Sequence, residues 1–175
     1  GVVHLPGQDP SFCAVQRRAL DALVLDGDRA TRVGRLIIDT SEREAVRFAV
    51  SSNQVYYVTQ PNGLRSDHAG PFAARDITLQ RVVLRDGRFE RLASFDVAGS
   101  SNLPPRLWTQ FVARGDRALW VAGAQLFVAD FGSDGARLEV HELGIGGCDA
   151  LALQGDTAYC AQGRAGYRAI PLGQP

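Results

Sequence analysis

The sequence predicts an all-β fold made of successive four-stranded antiparallel meanders, and three observations predict it. Short apolar runs rich in Val, Leu, Phe and Tyr alternate with polar residues and are interrupted by Gly, Asp or Asn about every 8 to 12 residues, the spacing of strands joined by tight turns. One hairpin pattern then recurs three times, in "FAVSSNQVYYVTQ" (48–60), "FVARGDRALWVAG" (111–123) and "LALQGDTAYCAQG" (151–163). A second, more charged pattern alternates with it, in "ALDALVLDGDRATRVGRLIID" (19–39), "ITLQRVVLRDGRFERLASFDV" (77–97) and "QLFVADFGSDGARLEVHEL" (125–143).

Hairpins of the first kind turn at Asn53, Gly115-Asp116 and Gly155-Asp156, residues that tolerate the positive φ of tight turns, and Tyr56, Trp120 and Tyr159 take equivalent places beyond them. Those of the second kind turn at Gly27, Gly87 and Gly135, and set Arg and Glu against Leu, Val and Phe, as half-exposed outer strands do. An apolar inner hairpin followed by an amphipathic outer one is a four-stranded blade. In chain order, 1–40 is a partial blade in which "GVVHLP" and the hairpin 19–39 supply the later strands and the first is absent. Helical spacing occurs only in "FCAVQRRALDALVL", which runs into the turn "DGD". Residues 45–98 form a blade enlarged by an inserted loop, 60–76, and 106–144 form the next. Residues 148–172 supply three strands.

This layout resembles the β-propeller superfamily. The tail "ALQGDTAYCAQGRAGYRAIPL" is similar to the repeat of bacterial secreted propellers of the LVIVD type: a small-apolar strand, a Gly-Asp turn, "AY", small residues, then "GxxGyxxIxL". The resemblance implies a rigid scaffold that binds partners at its faces and does not itself imply an activity. Two whole and two partial blades are too few to close, so this is expected to be a partial β-propeller, incomplete at both ends. Its open edges then call for cover by the remaining part of a larger propeller, as a separate or cleaved chain, or by a second copy. The expected function is a non-catalytic binding or structural scaffold, the C-terminal portion of an exported bacterial propeller, secreted, periplasmic or at the cell surface, acting by protein–protein interaction. Pro175 is expected to be a natural C-terminus and Gly1 the result of cutting. The competing expectation is a fragment of a propeller enzyme, a hydrolase or quinone-dependent dehydrogenase, with its active site largely in blades outside this chain. Only Arg47, Arg106 and Asp149 flank the innermost strands to support that.

Composition narrows the chemistry. The 175 residues suit one domain, and 19 cationic side chains, all Arg, balance 19 acidic ones, so the basic surface that nucleic acid requires is missing. No apolar run approaches the roughly 18 residues of a membrane span. Cys13, Cys148 and Cys160 are an odd number without a CxxC pair, which argues against zinc. In a hairpin turning at Gly155-Asp156, Cys160 opposes Leu151, and the three-residue offset puts Cys148 about 10 Å away along the strand. A disulfide needs Cα atoms within about 7 Å. A Cys148–Cys160 bond therefore requires "GIGGC" to bend back; the alternatives are Cys13 with either of them, or a bond to another segment. His4, His68 and His141 have no ligand spacing, so no metal site and no cofactor is expected. Ser66, Asp67 and His68 adjoin in sequence, whereas a triad is built from groups that converge in space. Asp76, Asp96, Asp130, Asp149 and Asp156 sit at turns or strand ends and single out no catalytic pair. Trp108 and Trp120 read as core. The loop 60–76 is the longest irregular segment, and Arg65, Asp67 and His68 in it are the candidate ligand contacts.

Overall fold

A computed structural model describes residues 19–38, 43–61, 77–97, 108–132, 135–144 and 147–173, together with the backbone pairing of 2–3 and 11–16. Among the described residues fifteen strands form four antiparallel sheets, in each of which every strand pairs with its neighbours in sequence. The first sheet comprises β1 (Val2–Val3), β2 (Ser11–Gln16), β3 (Ala19–Asp26) and β4 (Arg29–Ile37). The second comprises β5 (Arg43–Ser51), β6 (Gln54–Pro61), β7 (Thr78–Arg85) and β8 (Arg88–Asp96). The third holds β9 (Gln110–Arg114), β10 (Arg117–Ala122), β11 (Gln125–Gly132) and β12 (Gly135–Glu142). The last has three strands, β13 (Ala150–Gln154), β14 (Thr157–Ala161) and β15 (Tyr167–Pro171).

One expectation is corrected at the front of the chain. The segment with helical spacing is two strands, β2 and β3, paired from Ser11–Leu23 to Gln16–Ala19. The first sheet therefore has four strands where a missing first strand was expected, although β1 is only two residues long.

The sheets lie face to face like blades and form a partial, unclosed propeller arrangement. Innermost β5 lies against β9 and β9 against β13, while outer β4 lies against β8. Because side chains alternate across a strand, each middle sheet can be apolar on both faces. In β6, Val55 and Tyr57, together with Leu84 of β7, pack on Leu20 and Ala22 of the first sheet, and Tyr56 and Val58 pack on the third with Trp120, Phe127 and Phe131. In β10, Ala118, Trp120 and Ala122 point back to the second sheet; Leu119 and Val121 point on to the last, meeting Leu151, Ala158 and Ile170. All six residues of β10 are buried. We call the face toward the following sheet forward and the opposite face rear.

Two glycines let the first and second sheets touch at their outer strands. A Cβ on Gly34 would lie 2.8 Å from Leu84 Cδ1, and one on Gly87, which has φ of +74°, would lie 2.7 Å from the Val33 carbonyl oxygen. Only glycine combines that backbone with that approach.

The sulfurs of Cys148 and Cys160 are joined, with Cα atoms 5.4 Å apart. Leu151 does oppose Cys160, so the bond exists because the chain doubles back before β13. Gly147 adopts φ of +61°, and the Gln162 side-chain amide holds the bend by donating to the carbonyls of Leu143 (3.0 Å) and Gly147 (3.2 Å). The strand-spacing objection fails because Cys148 lies in that bend, outside β13. The bond ties the bend that precedes β13 to the central strand of the last sheet, a constraint that typically stabilises by about 2–4 kcal/mol.

Candidate interaction face

A polar seam runs along the end of the stack that carries the inner hairpin turns, and in it each middle sheet grips the turn of the sheet that follows. From the second sheet, the Tyr56 hydroxyl donates to the Gly115 carbonyl and Arg81 pairs with Asp116, both in the turn of the third. The Ser51 hydroxyl accepts from the Gly115 N–H at 2.9 Å. Burial is the main reason the Tyr56 phenol is pushed well above its ordinary pKa, outweighing the lowering effect of Arg81, so it stays a donor. From the third sheet, Arg117 donates to Asp130 at 2.8 Å, to Asp156 in the turn of the last at 2.6 Å, and to the Gly173 carbonyl at 2.7 Å. Burial alone would lower the Arg117 pKa, but hydrogen bonds and charge from Asp130 and Asp156 outweigh it and hold it above its ordinary value. Arg114 adds a donation to the Leu153 carbonyl at 2.9 Å, and at the other end of β9 Gln110 donates to the Asp149 carbonyl at 2.7 Å.

The last sheet has the same construction, and among the described residues no sheet follows it. Counted from the turn, Tyr159 occupies the place of Tyr56 and Leu119, and Ala161 that of Val58 and Val121. Across the ladder, Ala152 and Ala169 flank Tyr159, and Ala150 and Tyr167 flank Ala161. These are forward positions. Their counterparts Leu119, Val121 and Val128 are almost wholly buried, whereas Ala150, Ala152 and Ala169 are exposed and Tyr167 is 75% exposed. Tyr159 and Tyr167 sit with ring centroids 6.5 Å apart, tilted at 44°. The face holds small apolar side chains, two phenols, Thr157 and Gln154, and none of these is charged. Its rear counterpart, Ala158, Cys160 and Ile170, is buried on the third sheet.

The residues singled out in sequence distribute as follows. Arg65, Asp67 and His68 lie outside the described residues, as do Ser66, His4, Asp76 and Arg106. Cys13 pairs through its backbone with Val2 and Asp21, and its side chain lies outside the description. Arg47 donates to the Trp108 carbonyl at 3.1 Å, a contact between sheets. His141 lies 3.4 Å from Glu139 on β12. Trp108 and Trp120 stack at 4.9 Å inside the core. Asp130 and Asp156, read in sequence as turn and strand-end residues, meet on Arg117. The sequence signal for this was the recurrence of Gly-Asp at inner turns, with Arg117 directly after one of them. Among the described residues no group of three or more His, Cys, Asp or Glu could hold a metal, and no helix is long and apolar enough to cross a membrane. No family model matches the chain, and no curated protein matches it.

Proposed function

We propose that this chain is a non-catalytic binding and structural scaffold, a portion of a larger exported bacterial β-propeller that works by protein–protein contact at its end faces. The observation that carries the proposal is the forward face of the last sheet, which repeats the positions buried at the two preceding sheet interfaces and stands uncovered. Ionised groups beside the inner hairpin turns also bind sheet to sheet, Arg81 of β7 on Asp116 and Arg117 on Asp156. The Cys148–Cys160 bond supports a secreted, periplasmic or cell-surface location, since such bonds persist in oxidising compartments.

An apolar fluorescent dye tests the proposal on the chain diluted until sedimentation gives the mass of a single copy. The dye is expected to bind, and Ala152→Arg, an exposed change on β13, is expected to abolish most of that binding while leaving the circular dichroism unchanged. A monomeric chain that binds no dye, or whose dye binding ignores Ala152→Arg, would contradict the proposal.

A further inference from the structure

The second-on-third and third-on-last interfaces differ in kind, and the residue that points forward from the central strand sets the difference. On the second sheet that residue is Tyr56, flanked across the ladder by Ala49 and Arg81. Its ring lies on a rear face rich in rings, 5.7 Å from Phe131 and tilted at 54°, in one cluster with Trp120 and Phe127. Its hydroxyl reaches past them to the Gly115 carbonyl in the inner turn of the third sheet. On the third sheet the residue is Leu119, flanked by Val112 and Val128, and this aliphatic set meets Ala158, Cys160 and Ile170, which carry no ring. An aromatic forward face thus takes an aromatic rear face, and an aliphatic one takes small or aliphatic side chains.

The last sheet is of the aromatic kind. Tyr159 stands at the place of Tyr56 and opposite Ala152, as Tyr56 is opposite Ala49, and Tyr167 adds a second ring 6.5 Å away. Beside the turn, Gln154 stands where Ser51 accepts from the Gly115 N–H, so a side-chain acceptor recurs there. At the place of Arg81 stands Ala169. An acidic turn residue such as Asp116 therefore has no counter-ion to meet on this face, and a turn that fits it needs only the glycine.

We infer that the forward face of the last sheet docks the rear face of an antiparallel sheet of the third sheet's kind, with large rings on its two middle strands and an inner hairpin turn whose glycine carbonyl accepts from the Tyr159 hydroxyl. The inference rests on the scaffold proposal and names the chemistry of its partner. It concerns the build of the docking sheet and holds wherever that sheet is encoded. The second-on-third contact supplies the pattern residue by residue, and an uncharged face set against rings strands no ion. An aliphatic rear face like that of the last sheet itself would offer the two phenols no ring to meet.

The probe is a head-to-tail cyclic peptide with the sequence of residues 110–123, which presents Phe111, Ala113, Ala118 and Trp120 on one face of a hairpin turning at Gly115. Cyclisation removes much of the ordering cost of a free hairpin. Fluorescence anisotropy of the labelled peptide, titrated with the whole chain, is expected to rise to saturation. Tyr159→Phe should weaken binding by about 2- to 10-fold, the worth of one hydrogen bond, and Ala152→Arg should abolish it. Trp120→Ala in the peptide should also abolish it, whereas Asp116→Asn in the peptide should leave it unchanged. Absence of binding at millimolar peptide overturns the inference, as does binding unaffected by Tyr159→Phe or by Ala152→Arg. Self-association of the chain that Ala152→Arg abolishes, without peptide binding, would name a second copy as the occupant and overturn it equally. In each of these cases the apolar dye decides the scaffold proposal separately: Ala152-dependent dye binding by the single chain keeps that proposal, and its absence discards both.

Discussion

Replacing Trp120 with alanine is expected to destabilise the chain by about 3–5 kcal/mol, the range for emptying a fully buried large aromatic site. Trp120 has no solvent exposure and sits between two rings, Trp108 at 4.9 Å and Phe127 at 5.4 Å, both stacked. Its neighbours belong to both sheets of the interface: Tyr56, Val58, Ile77 and Leu79 from the second and Phe127, Ala129 and Phe131 from the third. The cavity therefore opens between two rigid sheets that can collapse only by shifting against each other, which places the cost toward the upper end. The indole Nε1 is buried without a hydrogen-bond partner among the described residues. Trp120→Phe removes that unsatisfied donor along with part of the ring, and should cost much less than Trp120→Ala. Urea unfolding of the three proteins measures the order. Against a total stability of about 5–15 kcal/mol for a domain, Trp120→Ala should leave the chain marginal or unfolded.

Arg117→Met should be comparably damaging for a different reason. The Arg117 side chain is 8% exposed and its partner Asp130 only 13%, so removing the guanidinium leaves a carboxylate largely shielded from water without its counter-ion. Breaking such a pair costs about 3–5 kcal/mol, most of it the penalty on the stranded charge. Asp156, at 59% exposed, is solvated either way and adds little. Two comparisons separate these terms by urea unfolding. The double change Arg117→Met with Asp130→Leu should recover a large part of the loss, because no ion is then left buried. Arg85→Ala, which breaks the exposed Arg85–Glu90 pair, should change stability by less than about 1 kcal/mol. An Arg117→Met cost no larger than that of Arg85→Ala would contradict the reading of Arg117–Asp130 as a shielded ion pair within the third sheet.

The sheet succession was legible because strand alternation and turn glycines are local: Gly27, Gly87, Gly115 and Gly155 all take positive φ where turns were read. Which face each residue occupies was only partly legible. Aligning Tyr56, Trp120 and Tyr159 by their aromatic character put them in one class, yet Trp120 is one position further from its turn. With a period of two, a single step reverses the face. Tyr56 and Tyr159 are forward residues, while Trp120 looks rearward. The strand β2 was hidden because "FCAVQRRALDAL" satisfies helical spacing as well as it satisfies two short strands, and only pairing decides. The Arg117 site was hidden because its two carboxylates come from the third and last sheets. The Cys148–Cys160 bond depended on a bend made by glycines, whose direction no pattern of side chains records.

The last sheet presents the same forward face as the third and differs in having no described sheet against it. Val128 and Ala169 are matched positions, each opposite the central-strand residue that points forward, Leu119 and Tyr159 respectively. Val128 is 1% exposed and Ala169 is exposed. The direct measurement is the rate at which a thiol reagent modifies Val128→Cys and Ala169→Cys, each in a Cys13→Ser background and at a dilution where the chain is a single copy. The account predicts that the thiol at 169 reacts at the rate of a free peptide thiol and that the thiol at 128 reacts only as the protein unfolds. Equal protection at the two positions would contradict it.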